Sequence, residues 1–388
     1  MNRFWIVAAL FASLALSGSA QSLADLNIEL HGYVTQGFLY TNQNNIFSTD
    51  STSGSPAWDE AVLNVTAAPT PKLRVGMQAR YFLLGTYGNA ITLDWAAADY
   101  KFDDRFGVRF GKVKTPIGLL NEIQDLDPTY IWSLLPQSVY PLLSRNSTLS
   151  HYGGVLYGTL GIGQKGGDLD YRVFGGEQIV TADDPSILEG EESSGITLPN
   201  GWGGTMWGAT LRWKAPLQGL MIGSSDMDFP NTWSSEAIYQ GSMGTQTTPP
   251  SQSQWSFARY EKKKVMAAFE YSRQQYQGST QFPSAPSGNS VFRSDPRGWY
   301  AMASYKFTEK LEVGAYDSQI VDHQLPLGPP RFSKDWTISA RYDFNQFLYA
   351  KAEQHFIDGT NLDFSPSDNV NGINPDTRLS ILKIGVSF

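Results

Sequence analysis

Apolar and polar residues alternate along most of this chain. The pattern is cleanest at its end, where Leu382, Ile384, Val386 and Phe388 fall on one face and Lys383, Gly385 and Ser387 on the other. In an extended strand successive side chains point to opposite faces, so a period of two predicts strands that are apolar on one side only. Leu73, Val75, Met77, Ala79 and Tyr81 stand against Arg74, Gly76, Gln78 and Arg80 in this way. So do Phe106, Val108 and Phe110 against Arg105, Gly107 and Arg109, and Trp207, Ala209, Leu211 and Trp213 against Gly208, Thr210, Arg212 and Lys214. Trp336, Ile338, Ala340, Tyr342 and Phe344 oppose Asp335, Thr337, Ser339, Arg341 and Asp343. None of these segments contains proline, as ladder hydrogen bonding requires. One segment departs from the pattern: Leu93 and Trp95 have the opposite parity to Ala98 and Tyr100, which predicts either a bulge near Ala96 or a misplaced strand.

Short polar breaks at Pro69 to Lys72, Asp103–Asp104, Gly161 to Gly167, Ala215–Pro216, Lys262–Lys263, Thr308 to Lys310 and Asn345 alternate with longer ones. The long breaks run near 43–56, 115–150, 179–203, 226–252, 275–296, 320–333 and 357–375, with a short exception at Gly85 to Asn89. About sixteen strands result. This layout, and a terminal strand ending on Phe388, resemble bacterial outer-membrane β-barrels, with turns in the periplasm and loops outside. The expected fold is all-β: a transmembrane antiparallel barrel in which the last strand closes against Asn27 to Tyr40. The resemblance implies outer-membrane lipid and lipopolysaccharide as surroundings, and the barrel assembly machinery as the partner of the C-terminal strand.

The amino terminus agrees with export. Arg3 precedes an apolar core from Phe4 to Leu16 and the small residues Ser17 to Ala20, which reads as a cleavable signal over 1–20, with cleavage after Ala24 as the alternative. The core is about a dozen residues, short of the roughly 20 of a spanning helix. The rest, 21–388, reads as one barrel domain. Mean hydropathy of −0.29 does not decide the compartment, because alternation averages each apolar position against a polar one. Cysteine is absent, which excludes disulfides, thiolate metal sites and cysteine catalysis. Net charge is −8, and no basic stripe points to nucleic acid.

A local repeat of Ala, Tyr and Phe at alternate positions occurs at 98–102, 303–307 and 340–344, each before a short turn. Tyr100, Phe102, Trp213, Tyr305, Phe307, Tyr342, Phe344 and Phe388 thereby collect at one end, as an aromatic rim at the lipid headgroups would. Charges supply an energetic check, since an Arg or Lys facing lipid at mid-membrane costs about 2–4 kcal/mol. Arg80, Arg109, Arg172, Arg212 and Arg341 all lie on polar faces.

Sixteen strands leave an aqueous channel where eight would fill with their own side chains. The break at 115–150 is too apolar for a solvated tip: it carries Pro116, Gly118, Leu119 and Leu120, then Glu122, Asp125 and Asp127, then Leu134 to Tyr140. The run Gly111 to Glu122, followed by Leu135-Pro136-Gln137-Ser138-Val139-Tyr140-Pro141, resembles a Gram-negative porin family related to phosphate-selective-type porins. The resemblance implies a third outside loop folded inward as a constriction, passive diffusion of small hydrophilic solutes, and a homotrimer. The acidic loop motif of enterobacterial general porins is missing and the second outside loop is short. Glu122, Asp125 and Asp127 are expected to face Arg74, Arg80, Arg105 and Arg109, with Lys112 and Lys114 nearby, across the narrowest point. The bland alternative is that these acids tie the loop down by salt bridges.

No cofactor is indicated. The four histidines, His31, His151, His323 and His355, show neither a relay motif nor the i, i+4 spacing of a helical zinc site. Gly161, Gly163 and Gly166 fit G-x-G-x-x-G, but a strand is expected after them where a phosphate loop needs a helix. A structural or adhesive barrel with a blocked interior, an outer-membrane barrel hydrolase and a soluble β-sandwich are the competing readings.

Overall fold

A computed structural model describes residues 26–85, 88–163, 165–361 and 364–388, so the signal reading at 1–20 lies outside the described residues. Twenty strands form among the described residues. The first seven are β1 (Glu29–Thr41), β2 (Ser55–Thr70), β3 (Leu73–Leu84), β4 (Ala90–Lys101), β5 (Gly107–Lys114), β6 (Ser150–Gly161) and β7 (Asp168–Val180). Next come β8 (Ile196–Thr197), β9 (Trp202–Lys214), β10 (Leu220–Phe229), β11 (Trp233–Tyr239), β12 (Ser242–Thr248), β13 (Ser251–Lys262) and β14 (Val265–Gln281). The last are β15 (Ser290–Ser294), β16 (Pro296–Lys306), β17 (Leu311–Asp322), β18 (Phe332–Asp343), β19 (Leu348–Gly359) and β20 (Asp376–Ser387).

Sixteen of them make the wall, each antiparallel to the next, and β8, β11, β12 and β15 belong to loops. The ring closes where β1 meets β20, with Tyr33 opposite Ser387 and Thr41 opposite Leu379. Gly32 and Phe388 exchange backbone bonds of 3.0 Å in both directions, and the Phe388 ring lies over Gly32, where a Cβ would meet it at 2.8 Å.

Side-chain alternation separates two surfaces. Along β20, Thr377, Leu379, Ile381 and Lys383 are buried while Arg378, Leu382, Ile384 and Val386 are exposed. On β18 the buried set is wholly polar: Ser333, Asp335, Thr337 and Ser339. The outside is therefore the apolar face and the inside the polar one. Outward residues of β16 run Tyr305, Ala303, Ala301 and Trp299 before Arg297 interrupts them. Those six residue steps span roughly 20 Å along the strand, or roughly 15 Å along the barrel axis at the usual tilt, within the roughly 25 Å band of an outer-membrane barrel. Among the described residues no helix is long and apolar enough to cross a membrane, which leaves crossing by strands open.

The Ala-Tyr-Phe repeat has a common geometry. Tyr100–Phe102, Tyr305–Phe307 and Tyr342–Phe344 form edge-on pairs at 4.8, 4.9 and 5.0 Å. Each Phe opens a turn, its N–H donating to the carbonyl of Phe106, Leu311 or Leu348. The next residue, Asp103, Thr308 or Asn345, accepts from two backbone N–H groups of its own turn. Short polar side chains thus substitute for the missing ladder partners and hold the turns tight. All eight rim residues are exposed at the short-turn end.

Two local irregularities are resolved. As expected, a bulge shifts the β3–β4 register, between Gln78 opposite Trp95 and Ala79 opposite Leu93, so the extra residue is Asp94, two positions before Ala96. The break expected at 226–252 is structured: β10 continues to Phe229, and β11 and β12 form a hairpin whose turn residues Gln240 and Gly241 have φ of 49° and 79°. Two positive φ values in succession suit the right-handed twist of a hairpin. With β8, β15 and the outer end of β14, this hairpin makes a small sheet over Val180, Ile187, Leu198 and Phe282.

Gly111, Gly153 and Gly176 lie directly opposite one another across β5, β6 and β7, and a Cβ on Gly153 would sit 2.1 Å from the Gly175 carbonyl. Gly153→Val is expected to destabilise the barrel by at least about 1–3 kcal/mol, read from urea unfolding in detergent. Gly190→Ala, in the interior of the helix over 185–194 with open space around it, should instead raise stability by about 0.5–1 kcal/mol.

Candidate functional site

Between β5 and β6 the chain does not stay outside the ring. Residues 115–149 contact inward side chains around most of the wall. The Gly118 N–H donates to Ser225 on β10 at 3.0 Å, and the Leu119 N–H donates to Glu270 on β14 at 2.9 Å. Glu270 also accepts from Tyr140 and Tyr300 at 2.7 and 2.8 Å. Glu353 on β19 accepts from the Ser133 and Leu134 N–H groups at 2.9 and 3.0 Å, and His355 stands 2.9 Å from both Glu353 and Asp335. Ser339 and Arg341 on β18 donate to the carbonyls of Ile131 and Pro128. A Cβ on Gly298 of β16 would lie 1.8 Å from the Ser138 carbonyl, so only glycine permits that approach.

Apolar packing accompanies these bonds. Ile117, Leu120, Ile131, Trp132 and Val139 from the segment join Val155, Phe174, Trp255, Phe257 and Tyr316 from the wall in one buried cluster. Each such side chain contributes about 1.5–3 kcal/mol when buried. The barrel's apolar core is therefore made largely by this segment. The base is fixed by Arg145, bidentate to Asp94 at 3.0 and 2.8 Å, so the bulged residue is the one that receives it.

The acids of the segment have different surroundings. Asp127 is buried, with Lys383 at 2.6 Å, Lys351 at 3.1 Å and the Tyr349 hydroxyl at 2.7 Å. Burial would raise its pKa, but the two lysines outweigh that and hold it well below the usual carboxylate value. Asp125 is paired with Lys114 at 2.7 Å and accepts from Gln78 at 2.6 Å. Glu122 is 19% exposed and faces three guanidiniums: Arg212 at 3.0 Å, Arg172 at 3.6 Å and Arg109 at 3.9 Å. Burial would raise its pKa too, and Arg172, Arg212 and Arg109 together lower it below 4.5.

The wall cations expected opposite these acids scatter. Arg109 reaches Glu122 and also Asp99 at 3.0 Å. Arg80 is buried against Glu60 at 2.5 Å, and Arg74 pairs with Glu29 at 3.3 Å with 60% of its side chain exposed. Arg105 is not on a strand: it sits in the 102–106 turn, where its N–H donates to Asp103. Lys112 is on the outer face, directly opposite Ala96 and the exposed Tyr152, because it shares the parity of Phe110. The arrangement expected from sequence is thus corrected for Arg74, Arg105 and Lys112. Arg172, Arg212, Lys351, Lys383, Glu270 and Glu353 are the partners that a search of neighbouring positions could not find. Their signal was parity: each is a charge on the polar face of an alternating strand. Among the described residues no group of three or more His, Asp or Glu could hold a metal ion.

Solved structures share this architecture. OmpF of Salmonella typhi in complex with daunomycin superposes with a TM-score of 0.60 at 15% identity, covering 95% of this chain and 99% of that one. The fold is that of the sixteen-stranded porins. The outer-membrane channel DcaP of Acinetobacter baumannii aligns at 0.56 and 10%, over 96% and 100% of the two chains. The anion-selective porin of Comamonas acidovorans aligns at 0.54 and 11%, over 93% and 99%. No family model matches the sequence, and no curated protein matches it. At these identities the likeness to porins is one of fold alone.

Removing one partner from a buried ion pair leaves a charge uncompensated, at a cost of about 3–5 kcal/mol. Lys383→Met is expected to cost less than that, about 1.5–3 kcal/mol, because Lys351 still faces Asp127 and Arg80 still faces Glu60, while Arg74→Gln, at an exposed pair, should change it by less than about 1 kcal/mol. Urea titration of the folded barrel checks both.

Proposed function

We propose that this chain is an outer-membrane porin of a Gram-negative bacterium, a water-filled channel through which small hydrophilic solutes and ions diffuse passively. One observation carries the proposal: inside a closed sixteen-strand ring, Glu122 and the arginines Arg109, Arg172 and Arg212 remain partly exposed, with side-chain exposures of 19, 30, 24 and 12%. Opposed charges at a narrow point create a transverse field that orients polar solutes and biases ion passage. Segment 115–149 is the constriction, and Lys114, Asp125 and Asp127 act in holding it. In this reading the apolar belt meets lipid and lipopolysaccharide, the terminal strand is offered to the assembly machinery, and the chain works as a homotrimer.

A second reading has its own support. The segment is bonded so widely, and the small sheet of β8, β11, β12 and β15 so well packed, that a closed structural or adhesive barrel fits these two features. Planar-bilayer recording separates the readings: discrete ion-current steps from purified, folded protein support the porin, and the lack of any open-channel current rejects it.

Charge at the constriction has a worked pH dependence. Because the Glu122 pKa is lowered from 4.5, the carboxylate stays ionised as pH falls through 4.5 and is lost only below it. Reversal potential in a salt gradient should be flat from neutral pH down to that value, then move toward anions as three guanidiniums lose their counter-charge. Glu122→Gln should show the anion-shifted value at neutral pH, by at least about twofold in permeability ratio, and no acid step.

A further inference from the structure

Beneath segment 115–149, on the side of the short turns, the wall leaves a cavity of about 140 Å³. Its upper part is apolar, made by Leu120, Ile123 and Trp132 of the segment with Ala268, Met266 and Met302 of β14 and β16. Its lower part is charged, with Arg259, Lys263, Lys264 and Lys306 against Glu261 and Glu312, an excess of two positive charges. Lys263 and Lys264 are exposed at their turn, and the Arg259 side chain is 38% exposed. Arg259 has one loose ion pair, to Glu261 at 3.6 Å.

Size, polarity and charge together define what fits. An apolar cavity of about 150 Å³ accepts benzene, so this one has room for one ring or a short branched chain. Methionines adapt to variable shapes and make favourable sulfur contacts with aromatic rings. The cationic end calls for an anionic group, and a carboxylate meets a guanidinium in good geometry. A neutral solute would leave the excess positive charge without a partner, and a small anion without an apolar body would leave the upper part unfilled.

We infer that this cavity is a binding site for small organic monoacids that carry an apolar body of about one ring, with the carboxylate at Arg259 and the ring under Trp132 and Met302. The inference rests on the porin reading for its purpose, as a station on the channel's inner face, and names a solute class for it. Binding itself is independent of current, and that makes the two separable.

The test uses full-length protein folded in detergent, with benzoate as probe and calorimetric titration as readout. Benzoate should bind at one site per chain, with acetate and benzyl alcohol at least about tenfold weaker, since each lacks one of the two required parts. Ala268→Leu fills the apolar part and Arg259→Gln removes the charge; each should weaken benzoate by about tenfold or more in protein that keeps heat-modifiable gel migration. Benzoate that binds no better than acetate, or that binds equally well to both variants, overturns the proposal. A barrel that binds benzoate in this pattern yet carries no ion current keeps the site and loses the porin reading. A conducting barrel without the benzoate site loses only this inference.

Discussion

Everything in this structure depends on closing the backbone ladder. In hydrocarbon an unpaired N–H or C=O costs several kcal/mol, so a strand sheet can be stable in a membrane only if it has no edge. The pairing of β1 with β20, and the two-way bond between Gly32 and Phe388, remove the only edges the wall would otherwise have. Once the ring is closed, side-chain parity does the rest. Apolar residues must face outward and polar ones inward, the reverse of a soluble fold. The aromatic ends of β4, β16 and β18, with their shared turn hydrogen bonds, repeat that solution around one rim.

A polar interior of this width has no core of its own. Segment 115–149 supplies one, and the means are electrostatic as much as apolar. Glu270 and Glu353 accept backbone N–H groups of the segment, Lys351 and Lys383 neutralise Asp127, and Arg145 seats on Asp94. Buried charges of this kind are weak contributors to net stability, but they are exacting about geometry, since a misplaced segment would strand a charge. They therefore fix where the segment lies inside the ring. Glu122 and its three arginines keep partial solvent contact, and the field proposed for the narrow point rests on that exposure.

Much of the wall was legible in the sequence because strand parity is a local property. The alternation of 379–388 identified the closing strand, and the Leu93/Trp95 anomaly identified the bulge to within two residues, because parity locates a shift only to within a turn of the pattern. The hairpin of β11 and β12 escaped notice because β12 carries Met243 as its one apolar side chain and β11 is apolar only at Trp233, Ala237, Ile238 and Tyr239, with Gln240-Gly241 as the one turn signal. Partners within the interior were the least legible. Glu122 meets Arg172 and Arg212 from β7 and β9, and Asp127 meets lysines more than 200 positions away, pairings that ring closure creates and no spacing encodes. Lys112 shows the opposite failure: its charge suggested the interior, but its parity with Phe110 placed it outside.

The central claim is that segment 115–149 occupies the ring and sets its width. Single-channel conductance of a protein lacking residues 119–138, with the wall intact, tests it most directly. The account predicts stable channels whose conductance rises several-fold over the full chain, because the cluster around Trp132 and the Glu122 pairs would be gone from the path. Conductance equal to that of the full chain, in protein shown to be folded, would mean that the segment does not restrict the interior and would contradict the account.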